Sequence, residues 1–326
     1  MIKNNLFILC ALVLIFSCRE SSLGQDILVI KRDGQTTKRS GTIVDWQGKK
    51  ISILTGSRTR SINSDDVVEL LTVWPDELIT ARKSVQSKDY NTAIRQFTLA
   101  LSDEKRSWVK VIILSEQIQA LDAVENLSLA AVQFLKLIEL DPNSRFFNLI
   151  PLSWSVGEIK PPTNEQCKTW LASDNPVALL TGASWQLQYN SQAVDVLESL
   201  ANYGDKRIAQ LATAQLWRKR QSSATETDLQ RWSQQMVRLP VELQAGPLIV
   251  LADVQKKLGA SEQAQINLLK LPILYPQKKS LSAFALFRCG TIMDDSGTHE
   301  RAVGIWRELI RDFPTSQFAE FAKGKF

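Results

Sequence analysis

Ala130, Phe134 and Pro142 stand four and then eight residues apart, and the same spacing returns at Ala264, Leu268 and Pro276 and at Ala302, Trp306 and Pro314. Ala93 and Phe97 begin it once more, with Lys105 in the proline's place. Twelve residues before these alanines stand Ala81, Ile118, Ala252 and Gly290, and three of the four are small. This self-similarity constrains the fold more than any other feature of the chain. Two antiparallel helices approach closely only where a small side chain on one meets a small side chain on the other. The large residue one turn later fills the gap between neighbouring pairs. Proline lacks an N–H and clashes with the preceding turn, so it marks where the second helix of a pair stops. From Asp76 onward, apolar residues recur every three to four positions, and the chain is expected to be helical to its end.

At these residues the chain resembles the tetratricopeptide repeat. Tyr90, Ala93, Phe97 and Ala100 match the second-helix signature of that family, and Lys257-Leu258-Gly259-Ala260 sits where it places the turn between helices. The segment RDFPTSQFAEFAK, residues 311–323, is similar to the junction between repeats in tetratricopeptide adaptors of the bacterial cell envelope. Ala93 and Ala130 lie 37 residues apart, and Ala264 and Ala302 lie 38 apart. The family's usual period is about 34, so longer turns are expected. The clearest repeats cover 246–276 and 282–314. The middle departs from the pattern: Ala193 and Leu197 keep the spacing without a following proline, while residues 205–220 and 227–239 read as generic amphipathic helices. Pro151, Gly157, Pro161 and Pro162 suggest a break near 148–163, which separates a block at 76–147 from one at 163–326.

Residues 25–73 carry a different period. Asp26–Ile30, Gly41–Trp46, Lys50–Thr55, Arg58–Ile62 and Val67–Leu71 read as short strands, with turns at Asp33-Gly34 and Gln47-Gly48. Closely spaced strands with tight turns suggest a small antiparallel barrel. GTIVDWQGKKISILT and SDDVVELL resemble the SH3-like or Sm-like barrels at the front of secreted bacterial proteins. The expected fold class is therefore mostly α: a tetratricopeptide-like solenoid preceded by a small β-barrel. The period switches at Trp74-Pro75, so the two parts are expected to be separate units.

The first 24 residues read as an export signal, with Lys3 ahead of an apolar run from Leu6 to Phe16. That run is too short for a permanent spanning helix, which needs about 20 apolar residues. Ser22-Leu23-Gly24 places small residues where an ordinary signal peptidase reads, giving a soluble chain that starts at Gln25. Ile15-Phe16-Ser17-Cys18 resembles a lipoprotein box and offers the alternative of a lipid anchor at Cys18. A periplasmic or envelope location is expected either way. Cys10 and Cys18 belong to this segment, which leaves Cys167 and Cys289 either to pair or, as the simpler reading, to pack as separate buried thiols.

Chemistry finds little footing. His299 is the sole histidine, and it takes the place in its repeat that Tyr90 holds in the first, so packing accounts for it. Neither CxxC nor HExxH is present, nor a GxxxxGK[ST] or GxGxxG loop, and no cofactor is expected. Asp65-Asp66 and Asp294-Asp295 stand at turns, where aspartates cap backbone N–H groups. The overall charge of +5 lacks the density of a nucleic-acid-binding face. Basic residues do gather between 31 and 60, for a net charge of +6. This is either a solvated face or a contact for an acidic polymer, lipid headgroups or an acidic partner. Trp154 and Trp185, beside the irregular middle, are candidates for exposed contacts.

The resemblance implies a protein-binding scaffold of the cell envelope, in which the first helix of each pair lines a concave face. In the two clearest repeats those helices run from about Leu248 to Lys257 and from about Ser282 to Met293. Their polar members Asp253, Gln255, Lys256 and Arg288 have no evident core role and are the candidate partner-binding residues. The competing readings are a carboxylate-based enzyme acting on cell-wall glycan and a self-associating structural component of the envelope.

Overall fold

The computed structural model describes residues 25–154 and 162–325. The proposed export segment, with Cys10 and Cys18, lies outside the described residues, as do Gly157 and Pro161 of the expected break. Five strands come first: β1 (Asp26–Arg32), β2 (Gln35–Gln47), β3 (Lys50–Thr55), β4 (Arg58–Asn63) and β5 (Val67–Leu71). They form one antiparallel sheet in the order β4-β3-β2-β1-β5. The turns fall where Asp33-Gly34 and Gln47-Gly48 require them, with positive φ at Asp33, Gly34 and Gly48.

The closed barrel expected from these strands does not form. β4 and β5 are the sheet's two free edges. Closure is unnecessary because helices cover the apolar face. Leu28, Ile43, Trp46, Ile51 and Ile53 share one buried cluster with Leu78, Ala81, Ala93, Phe97 and Trp108 from the helices that follow. The strand region and the first helices thus have a common core. The β2–β3 turn is also fastened further along the chain: the Gly48 N–H donates to the Asp141 carboxylate at 3.0 Å, and Arg145 lies 4.0 Å over the Trp46 ring.

Fourteen α-helices follow among the described residues. The first four are α1 (Asp76–Gln86), α2 (Tyr90–Asp103), α3 (Ser107–Ala123) and α4 (Leu127–Leu140). The middle holds α5 (Asn164–Leu171), α6 (Pro176–Gln186), α7 (Ser191–Leu200), α8 (Lys206–Arg220) and α9 (Glu226–Val237). The last five are α10 (Ala245–Lys257), α11 (Ser261–Leu274), α12 (Lys279–Asp295), α13 (His299–Asp312) and α14 (Gln317–Lys323).

The repeated spacing maps onto four helix pairs: α1–α2, α3–α4, α10–α11 and α12–α13. Ala93, Ala130, Ala264 and Ala302 are fully buried, and so are their large neighbours Phe97, Phe134, Leu268 and Trp306. Gly290 shows why smallness matters, because a Cβ there would overlap the indole of Trp306. Helices α4, α11 and α13 each stop two residues before Pro142, Pro276 and Pro314, and α2 stops two residues before Lys105. The turn inside each pair carries a left-handed residue five positions before the buried alanine: Lys88, Glu125, Gly259 and Gly297. Helices commonly end this way, with the next N–H reaching back into the last turn. Asn126 N donates to Leu121 O at 2.9 Å and Ala260 N to Gln255 O at 2.8 Å.

The row of helices comes back on itself. Helix α3 packs against α12, and a single apolar cluster runs from Val111 on α3 to Ala322 on α14. The joint between the two ends is polar. The Ser280 hydroxyl and N–H both donate to buried Asp122. The Thr315 hydroxyl donates to Ala123 O at 3.0 Å. The Ser316 hydroxyl and the Gln317 N–H donate to Glu125, whose φ of 56° aims it at the start of α14. Burial pushes the Asp122 and Glu125 carboxyls above the usual carboxylate range. Lys278 donates to Ile150 O at 3.2 Å, and burial lowers its ammonium from 10.5 to about 8 despite the attraction of Asp122.

Candidate functional site

The end of α8, the C-terminal half of α10 and the middle of α12 enclose a groove of about 430 Å3. Gln221, Ser222, Asp253, Lys257, Phe284, Phe287 and Arg288 line it. Each helix delivers its residues by period. Asp253 and Lys257 are four apart on α10, so both point the same way. Phe284, Phe287 and Arg288 occupy one stripe of α12 by the same rule. The aromatic pair is braced from behind by α14, with the Phe284 and Phe287 rings 5.3 and 5.9 Å from Phe318.

Across the groove, Arg288 Nη2 donates to Asp253 Oδ1 at 2.7 Å, and both side chains remain partly exposed. Lys257 Nζ donates to Ala224 O at 3.0 Å. Two buried polar atoms of lining residues, Gln221 Oε1 and Arg288 Nε, have no hydrogen-bond partner among the described residues. One turn before Gln221, Arg218 is almost fully buried, donates to the carbonyls of Ser153 and Ser184, and is lowered to about 10 by that burial.

Of the four residues singled out from the sequence, Asp253 and Arg288 meet in this groove. The other two lie elsewhere. Gln255 does have a core role: it is 7% exposed, turned toward α11, and accepts from Asn267 Nδ2 at 2.9 Å. The side chains of Asp253 and Gln255 diverge because two positions on a helix are separated by about 200°. Lys256 lies outside the lining and pairs with Asp295 at 2.6 Å. Lys257, Phe284, Phe287 and Gln221 were missed. The apolar stripe at 284 and 287 leading to Arg288 was the signal that could have found two of them.

The tryptophans expected to be exposed are buried. Trp185 donates its indole N–H to Pro151 O at 3.0 Å, and Trp154 lies against Gly246, where a Cβ would overlap its ring. Cys167 and Cys289 are separate free thiols, both buried, and burial raises Cys289 to about 12. The paired aspartates serve the surface. Asp65 and Asp66 pair with Lys49 and Arg32, and Asp294 and Asp295 with His299 and Lys256.

No protein-family model and no curated protein matches the chain. The groove must therefore be read from its own chemistry. Among the described residues, no three His, Cys, Asp or Glu side chains gather to hold a metal, and no helix is long and apolar enough to cross a membrane.

Proposed function

We propose that the chain is a non-catalytic protein-binding scaffold, tetratricopeptide-like in its helix pairs, whose groove between α10 and α12 takes an extended segment of a partner protein. The observation that carries this reading is the composition of the groove: two aromatic rings beside an ion pair across its floor. Aromatic and arginine side chains in a recess are the usual anchors of protein interfaces. Asp253 is the sole carboxylate lining the groove and is already engaged by Arg288. That favours binding over a glycosidase, which needs two carboxylates flanking its substrate. The export-like pattern of residues 1–24 supports a periplasmic or envelope setting.

The test is capture from an envelope extract of the source cell by the mature chain and by a Lys257→Glu/Phe287→Ala variant. Partners held by the wild-type chain are expected to be lost from a variant whose melting curve shows it folded. Retention of every captured protein would remove the groove from consideration. Sedimentation over a range of concentrations separates this reading from self-association.

A further inference from the structure

A second recess lies in the open side of the sheet. It has a volume of about 860 Å3, twice that of the helical groove, and the outer halves of β1 and β2 face β3 and β4 across it. Its floor is apolar: Ile30 and Ile53 are buried and Ile62 half-buried. Its rim is basic, with Arg32, Lys38, Arg39 and Arg60, and Asp33 is the one acidic residue lining it.

Register explains how charges come to flank a core. Arg39 stands opposite Leu28 and Arg60 opposite Ile53. Cross-strand partners share a face, so both guanidinium groups project on the side of the sheet that elsewhere holds its core. Inward-pointing arginines are unfavourable in a sealed barrel and tolerable only where the sheet stays open. Asp66 pairs with Arg32, but Lys38, Arg39 and Arg60 have no acidic partner among the described residues. β4, which supplies Arg60, is an edge strand, so its outer N–H and C=O groups pair with no other strand among the described residues.

We propose that this recess binds an extended acidic segment of a partner protein, its carboxylates against Arg39 and Arg60 and its small apolar side chains on Ile30, Ile53 and Ile62. Charge complementarity names the ligand's sign, and two features name its form. A membrane surface is broad and cannot enter a recess whose floor is apolar and whose cations point inward. A free strand edge supplies backbone hydrogen bonds that a peptide can use and a lipid headgroup cannot. This site is independent of the helical groove and stands or falls apart from it.

The experiment titrates the full chain against a fluorescein-labelled peptide of alternating Glu and Val, reading anisotropy at two salt concentrations. The peptide is expected to bind, to weaken as salt rises, and to lose at least ~10-fold in affinity with Arg39→Glu/Arg60→Glu. A milder Arg39→Gln/Arg60→Gln chain is expected to lose ~3-fold or more, which keeps the test open if the charge reversals disturb folding. Lys257→Glu/Phe287→Ala is expected to leave this binding unchanged, which separates the result from the fate of the helical groove. Undiminished affinity in both sheet variants overturns the proposal, as does equal binding of a Lys–Val peptide. Binding to phosphatidylglycerol vesicles that needs Arg39 and Arg60, without peptide binding, overturns it too and makes the recess a lipid site.

Discussion

The helices from α10 to α13 and those from α5 to α9 bury similar kinds of residues yet fix their mutual positions by different means. In the first group the close crossings are matched by size, as where Gly290 lies beneath Trp306, and one buried polar pair, Gln255 with Asn267, joins α10 to α11. In the second, the fully buried Ser184 and Gln215 and nearly buried Arg218 bind the backbone at Ser153, so polar groups hold α6 and α8 to the segment between them. Size matching gives close packing with no desolvation penalty. A buried cation secures one arrangement by making every alternative leave it unpaired. The same chain uses both, and they should fail differently.

The strongest way to break that comparison is Ala302→Trp. Ala302 is fully buried against α12, and overpacking there should destabilise the chain by about 3 kcal/mol. An unchanged melting temperature would show that the size-matched pair does not hold that end together. Arg218→Met should lower stability by about 2 kcal/mol in urea titration, because the Ser184 carbonyl loses this donor in the interior and Ser153 loses one of its donors. A neutral result would place the middle helices under apolar packing as well and erase the contrast.

The joint between the ends extends the polar mode, and pH reads it. Lys278 has a folded value of about 8, below its ordinary 10.5. Between those values the unfolded chain binds more protons than the folded one, so stability rises with pH in that window. The wild-type chain should gain about 1 kcal/mol between about pH 8 and about pH 9.5 relative to Lys278→Met, measured as urea midpoints. Parallel profiles would mean that the amine is solvated. The smallest effect is expected from Lys256→Ala, whose partly exposed pair with Asp295 should contribute less than about 1 kcal/mol. A larger loss would show surface pairing where size matching is claimed.

Much of the local structure was legible. The strands, their turns and the helix ends before each proline follow from residues close together in sequence. Gly290 and Ala302 announced a tight crossing because a pair's two contact points are always twelve residues apart. The joint between α3 and α12 could not be read this way. Asp122 and Ser280 are separated by 158 residues, and nothing local distinguishes a buried aspartate from a solvated one. The tryptophans of the middle were misread for a related reason. Proline-rich surroundings suggest exposure, but Gly246, nearly a hundred residues away, makes the room for Trp154. At the groove, Asp253 and Arg288 were recoverable as polar positions on first helices, whereas Gln255 was not, since its partner Asn267 lies on the next helix.

The meeting of α3 with α12 and of Glu125 with Ser316 and Gln317 carries a consequence for how such a chain can change over generations. A stack with two loose ends can acquire a unit by duplication or shed one by deletion, because each unit touches only its neighbours. Here the two ends are neighbours as well. An added or missing pair would shift Ser316 away from Glu125 by the width of a helix and leave a carboxylate stranded in the interior. The copy number is therefore fixed by its own circumference, and variation in such a lineage is expected in loops and surfaces rather than in the count of helices.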